Sequence, residues 1–199
     1  LLNDFADTCE GTSMTLKASA FPGQSTKVIL PINRIKETEA YCPTYENGTQ
    51  LALIRYPHAG TFEIPIVTVN NKNVSGKRNL GQIQDAIGIN AKVAERLSGA
   101  DFDGDTVMAI PVSDKVPIKS TRPLEQLKGF DPKTAYAVPE GNPNNVRLMK
   151  KEEKQREMGV ISNLITDMTL RGASEEELAR AVKHSMVVID AEKHKLDYK

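Results

Sequence analysis

Cysteine is scarce in this sequence, and neither sign of charge prevails. The two cysteines, Cys9 and Cys42, stand far apart with no Cys-X-X-Cys pair, and His58, His184 and His194 lack metal-ligand spacing. That excludes a recognisable zinc site and favours a reducing compartment over a disulfide-stapled secreted fold. Lys plus Arg and Asp plus Glu number 26 each, so no overall basic excess marks a nucleic-acid-binding protein. Long apolar runs are missing too: none approaches the ~20 residues that span a bilayer. No charged n-region followed by an apolar stretch opens the chain, no internal repeat or low-complexity tract is visible, and the start Leu1-Leu2-Asn3 has no initiator methionine. From that start we expect a piece of a longer protein.

What is present is an ordinary globular composition, 39% hydrophobic and 26% charged over 199 residues, enough for one domain with an appendage or two small domains. Three runs read as strands: Lys27–Leu30, Gln50–Arg55 and Glu63–Val69, each stopped by proline or by turn-prone asparagines. The pattern then predicts a helix over Leu80–Ile87 closed by Gly88. A short helix over Ala91–Leu97, capped by Asn90, follows, and Thr106–Val112 reads as a buried strand. Strands separated by turns and two short helices predict a small barrel with helical decoration. Residues 114–145 carry Pro117, Pro123, Pro132, Pro139 and Pro143 and read as a connector. Beyond it, Met158, Ile161, Ile165 and Met168 recur at helical spacing up to Gly172. Ser174 and Glu177 then form a capping box before the apolar stripe Leu178, Ala181, Val182, Ser185 and Ile189. By composition these are two packed core helices.

The chemistry concentrates in Ser98-Gly99-Ala100-Asp101-Phe102-Asp103-Gly104-Asp105. Asp101, Asp103 and Asp105 stand at alternate positions, and Gly104 frees the backbone to wrap them around one cation. Crowded carboxylates raise one another's pKa unless a counter-charge intervenes. Oxygen-only ligation selects magnesium, manganese or calcium over zinc. A calcium-binding EF-hand starting at Asp101 needs glycine at its sixth position and glutamate at its twelfth; Thr106 and Val112 stand there. Asp and Gly also favour plain surface turns. Here, however, the loop lies between a helix C-terminus and a buried strand, where three acids without a cation are badly placed. Lys72, Lys77, Arg78, Lys92 and Arg96 before the loop, and Lys115, Lys119, Arg122, Lys128 and Lys133 after it, form local basic biases. They read either as solvated faces or as phosphate-holding groups.

Ala100-Asp101-Phe102-Asp103-Gly104-Asp105 resembles the magnesium-binding signature of the largest subunit of cellular RNA polymerases. The Ser98-Gly99 flank is similar to the single-chain relatives, the RNA-silencing and the phage-encoded two-barrel RNA polymerases; cellular enzymes carry asparagine where this chain has Gly99. Two downstream blocks extend the resemblance to RNA-silencing polymerases: Met158-Gly159-Val160-Ile161-Ser162-Asn163, and His184-Ser185-Met186-Val187-Val188-Ile189-Asp190-Ala191. In the second the spacing to aspartate differs by one residue. Taken alone, Arg55, at a strand end, reads as solvent-facing. Family members, however, carry an Arg-X-Pro element upstream of the metal loop, matched by Arg55-Tyr56-Pro57, whose arginine contacts nucleotide or nucleic acid. Guanidinium suits that task, and His58 is at most a site neighbour.

The resemblance implies a mixed β/α fold: a double-psi β-barrel carrying the Asp loop over residues 1–113, with an N-terminal extension. The 114–145 connector follows, then a helical segment over 146–199 that packs beside the active centre. It implies a magnesium-dependent RNA polymerase, a nucleotidyltransferase, with Asp101, Asp103 and Asp105 holding Mg²⁺ (Mn²⁺ as substitute) and Arg55 on the substrate. The implied partners are a nucleic-acid template, the RNA product, nucleoside triphosphates and a second barrel from the same longer chain or a partner. No membrane is involved, the location is the cytoplasm of a bacterial or phage-infected cell, and the fragment alone is inactive. The template assignment is DNA, with an RNA-templated polymerase and a non-catalytic nucleic-acid-binding barrel as alternatives. A different magnesium-dependent phosphotransferase or nuclease also stays open.

Overall fold

The computed structural model describes residues 21–56, 58–97, 100, 102–138 and 148–198. They divide into two units, one of residues up to Tyr56 together with Pro65–Lys119, the other of Pro57–Ile64 together with the chain from Ser120 onward.

The first unit contains six strands: β1 (Ser25–Pro31), β2 (Glu39–Ala40), β3 (Gln50–Ile54), β4 (Ile66–Val69), β5 (Ala86–Ile89) and β6 (Thr106–Pro111). They form one sheet in the order β2-β4-β3-β6-β1-β5. The two edge strands come back together at Tyr41 and Gly88, which exchange both backbone hydrogen bonds at 2.8 Å. The sheet is therefore a nearly closed barrel, which leaves almost no edge exposed for pairing with other chains. Its interior is apolar, with Ile29, Leu51, Leu53, Val67, Val69, Ile87, Ile89, Val107 and Ala109 among the buried residues. Gly88 stands in this wall because a Cβ there would fall 2.1 Å from Ile32 Cδ1.

The helix expected over Leu80–Ile87 is two different elements. Helix α1 spans Val74–Leu80, started by the Asn73 side chain accepting from the Gly76 N–H (2.8 Å), and ends at Gly81. Ala86–Ile89 is strand β5, buried at all four positions. A parallel strand covered on both faces shows an unbroken apolar run instead of alternation, which a helix segment imitates. Helix α2 spans Ala91–Glu95 and is capped by Asn90, as expected. The strand expected from Glu63 begins at Ile66 instead; Thr61–Glu63 is a turn of 3₁₀ helix, and just ahead of the strand the Pro65 carbonyl accepts the Leu53 N–H (3.0 Å).

The pairing pattern repeats. Strand β1 runs parallel to β5 and antiparallel to β6, as β4 runs parallel to β2 and antiparallel to β3, while β3 and β6 pair antiparallel with each other. Exchanging the first three strands for the last three leaves the barrel's neighbour relations unchanged. The Ile29 N–H donates to the Asp105 carbonyl (3.0 Å), and the Val69 N–H donates to the Thr49 carbonyl (2.8 Å), so the repeat extends to the loops entering β6 and β3.

In the second unit, α3 (Pro132–Ala135), α4 (Lys151–Leu170) and α5 (Glu175–His194) carry the apolar positions. Ile161 and Ile165 of α4 meet Ala179 and Val182 of α5, along with Phe62 and Leu124. A second cluster gathers Met149, Val187, Val188, Ala191, Leu196 and Tyr198. The turn between the helices uses Gly172 at φ 72°. The capping box is present as expected, with Ser174 and Glu177 bonded in both directions. Within residues 114–145, a 3₁₀ turn at Glu125–Leu127 and α3, N-capped by Asp131, are ordered elements. Among the described residues no helix is long and apolar enough to cross a membrane.

Candidate functional site

The loop entering β6 is shaped by two unusual backbone positions. Gly104 lies at φ 115°, where a side chain is strained, and Phe102 lies at φ 66°, uncommon for a bulky residue. The Phe102 ring packs against the barrel core, and that burial holds a conformation costing about 1–2 kcal/mol. With the aromatic anchored, Asp103 is exposed and Asp105 half-buried at the start of the strand. Asp101, Ser98 and Gly99 lie outside the described residues.

Arg55 follows the last residue of β3. In the β3–β6 register Ile54 faces Met108, which puts Arg55 opposite Val107 and diagonal to Asp105 on the inward-facing side of the strands. The Arg55 Nη2 donates to Asp105 Oδ1 at 2.7 Å, with the two side chains 24% and 17% exposed. A charge-assisted hydrogen bond of this length contributes about 1.5–3 kcal/mol, toward the low end where water still reaches the pair. Of the sequence-predicted site residues, Arg55 and Asp105 are thus in contact, and Asp103 stands two positions from Asp105 across Gly104. Pro57, the last residue of the Arg-X-Pro element, is outside the described residues, and His58 belongs to the second unit, where burial pushes its imidazole pKa down.

A magnesium or manganese ion requires oxygen donors, and Asp103 and Asp105 supply only oxygen. Among the described residues no three His, Cys, Asp or Glu side chains gather as a metal-holding group. Asp103 and Asp105 thus offer the donor type such an ion takes, while Asp101, the third expected ligand, lies outside the described residues.

Of the basic residues flanking the loop, Lys92 pairs with Glu37 (2.8 Å), which pushes its pKa up. Burial lowers that of Arg96 at the end of α2. One charged residue escaped the sequence reading. Lys27 is buried in β1, and its Nζ donates to Thr44 Oγ1 (2.9 Å) and to the Gln84 carbonyl and lies 5.9 Å from the Tyr45 ring centroid. Nothing in the local pattern around Lys27 marks it, because its acceptors come from loops 17 and 57 residues away.

No protein-family model and no curated protein matches this chain. Among solved structures, the chain is similar to the RNA dependent RNA polymerase QDE-1 from Thielavia terrestris, with a TM-score of 0.40 and 16% sequence identity. The likeness covers 82% of this chain and 17% of that one, so the chain spans about a sixth of its length.

Proposed function

We propose that the first unit is the metal-carrying double-psi β-barrel of a two-barrel RNA polymerase, a nucleotidyltransferase that extends an RNA 3′-hydroxyl with ribonucleotides. The single observation that carries the reading is the turn at Asp103-Gly104-Asp105, entering β6 under an aromatic anchor, with Arg55 bonded to Asp105. The resemblance of Ala100–Asp105 to the polymerase magnesium signature supports the same assignment. Asp103 and Asp105, with Asp101, would hold Mg²⁺, which supplies activation of the attacking hydroxyl and charge neutralisation at the phosphate. This chain's own part is to present the carboxylates on the turn entering β6 and to place a guanidinium beside Asp105, where phosphate and ribose oxygens are suitable acceptors. A second barrel would complete the phosphate contacts, and DNA is the template we assign. The helices of the second unit carry the downstream blocks of the resemblance on α4 and α5.

The test is an extension assay with the complete two-barrel protein, Mg²⁺ and single-stranded DNA or RNA templates. Ribonucleotide incorporation on DNA is the expected result, and incorporation only on RNA would reassign the template. Degradation without extension would make the protein a nuclease, and binding without either reaction a non-catalytic barrel.

A further inference from the structure

Asp105 Oδ1 is at once the expected ligand of a divalent cation and the acceptor of the Arg55 guanidinium at 2.7 Å. Both partners are positive and seek the same lone pairs, and a guanidinium that close also repels an incoming ion. We propose that Arg55 is a displaceable counter-cation for Asp105: it holds the carboxylate in the metal-free state and gives up Oδ1 when a divalent cation enters the loop. The inference rests on the metal reading above and adds to it an order of events.

Three features make the exchange mechanically simple. Both side chains remain partly exposed, so water can solvate either group as it moves. The Arg55 backbone follows a strand fixed by pairing on both sides, with β4 and β6, so the long side chain can swing while the chain path stays put. The equivalent place in the barrel's repeat carries neither group: Thr49 stands where Asp105 stands, and Pro111 where Arg55 stands, counted from the first residues of β3 and β6. Acid and cation are thus both present at one of the two places and both absent at the other. A guanidinium released by the ion becomes a donor for a phosphate or ribose oxygen. Cation and nucleotide binding then reinforce each other, by the same factor in either order.

The experiment measures Mn²⁺ affinity of the 199-residue chain by calorimetry, with Asp103→Asn as the control that abolishes loop binding. It also follows the Arg55 side-chain ¹⁵N signal of the unsubstituted protein during Mg²⁺ titration. Arg55→Gln should bind Mn²⁺ about tenfold more tightly, at the low end of what one neighbouring charge does to a carboxylate. Arg55→Lys, which keeps the charge, should stay within about twofold of the unsubstituted chain by the same argument, and the ¹⁵N signal should move in step with cation binding. Unchanged or weaker Mn²⁺ binding by Arg55→Gln, with binding by the unsubstituted chain intact, overturns the inference and leaves the metal reading standing. Absence of Mn²⁺ binding in every variant overturns the metal reading and the inference with it. If Arg55→Gln does not fold, the ¹⁵N titration decides: a signal that stays fixed while the cation binds overturns the exchange.

Discussion

Gly48 and Gly104 stand two residues before β3 and β6, at matching places in the two halves of the barrel, and both hold positive φ, 93° and 115°. The residues around them share one exposure sequence: Asn47 and Asp103 exposed, Thr49 and Asp105 half-buried, Leu51 and Val107 buried. The carbonyls of Thr49 and Asp105 accept equivalent hydrogen bonds from β4 and β1. An aromatic side chain packs each loop against the core, Tyr45 three residues before its glycine and Phe102 two before. The first loop flanks its glycine with an amide and a hydroxyl, Asn47 and Thr49; its one acid, Glu46, is exposed and one residue further out, and none of its non-glycine residues holds positive φ. The second uses two carboxylates, a paired arginine and Phe102 at φ 66°. The turn therefore needs neither acids flanking its glycine nor a strained aromatic, since the fold builds it once without them. The Arg55–Asp105 bond contributes to stability, but the exposed Asp103 carboxylate and the strain at Phe102 are not required by the turn, and this is the strongest internal argument that the loop's charges serve a ligand.

The largest effect that would test the contrast comes from copying the first loop into the second. Asp103→Asn places the residue of Asn47 at the matching position, keeping shape and removing one charge. In the complete protein, ribonucleotide incorporation should fall by at least about a hundredfold, the scale of losing one transition-state electrostatic partner. Stability should change by less than about 1 kcal/mol, because Asp103 is exposed and a polar contact in water contributes no more than that. Extension kinetics and urea unfolding measure the two separately. Lost stability with intact synthesis would make the second loop as structural as the first.

How far the comparison could be foreseen depends on what each element shows locally. β1, β3 and β6 were legible because each is a bounded apolar run with β-branched residues. The Asp loop was legible because alternate acids around glycine are chemically conspicuous. β5 was misread because burial on both faces erased its alternation, and the two residues of β2 are too few to show a period. The repeat itself was invisible: of the residues entering β3 and β6, Asn47-Gly48-Thr49 and Asp103-Gly104-Asp105, only glycine is common to both. The backbone repeats while the side chains differ. The Arg55–Asp105 pair depends on the register between strands some fifty residues apart, which no local pattern carries.

A middle-sized effect tests whether the two turns are mechanically equivalent. Neither glycine has any atom within 4 Å of where a Cβ would sit, so Gly48→Ala and Gly104→Ala suffer from φ alone. Each should destabilise the chain by about 1–3 kcal/mol, and the two values should agree within about 0.5 kcal/mol if the loops are one backbone device used twice. Chemical denaturation of the two variants checks this. A cost confined to Gly104 would mean that the first loop adopts its turn for reasons of its own.

The smallest expected effect is the reverse substitution, Asn47→Asp, which places an acid directly before the first loop's glycine, as Asp103 stands before Gly104. The Asn47 Oδ1 accepts the Asn71 N–H at 3.0 Å, a bond that an aspartate oxygen accepts equally well, so stability should stay within about 0.5 kcal/mol. No cation affinity should appear either. Thr49 offers a hydroxyl where Asp105 offers a carboxylate, and the lone new acid, exposed to water, gains too little to strip a divalent ion of its hydration shell. Mn²⁺ calorimetry on Asn47→Asp, made in an Asp103→Asn background to silence the second loop, reads the result directly. If one acid on the first turn bound Mn²⁺ as tightly as the second loop does in the unsubstituted chain, the shared backbone alone would make the site. The carboxylate pair, Phe102's strain and Arg55 would then lose the role that the comparison gives them.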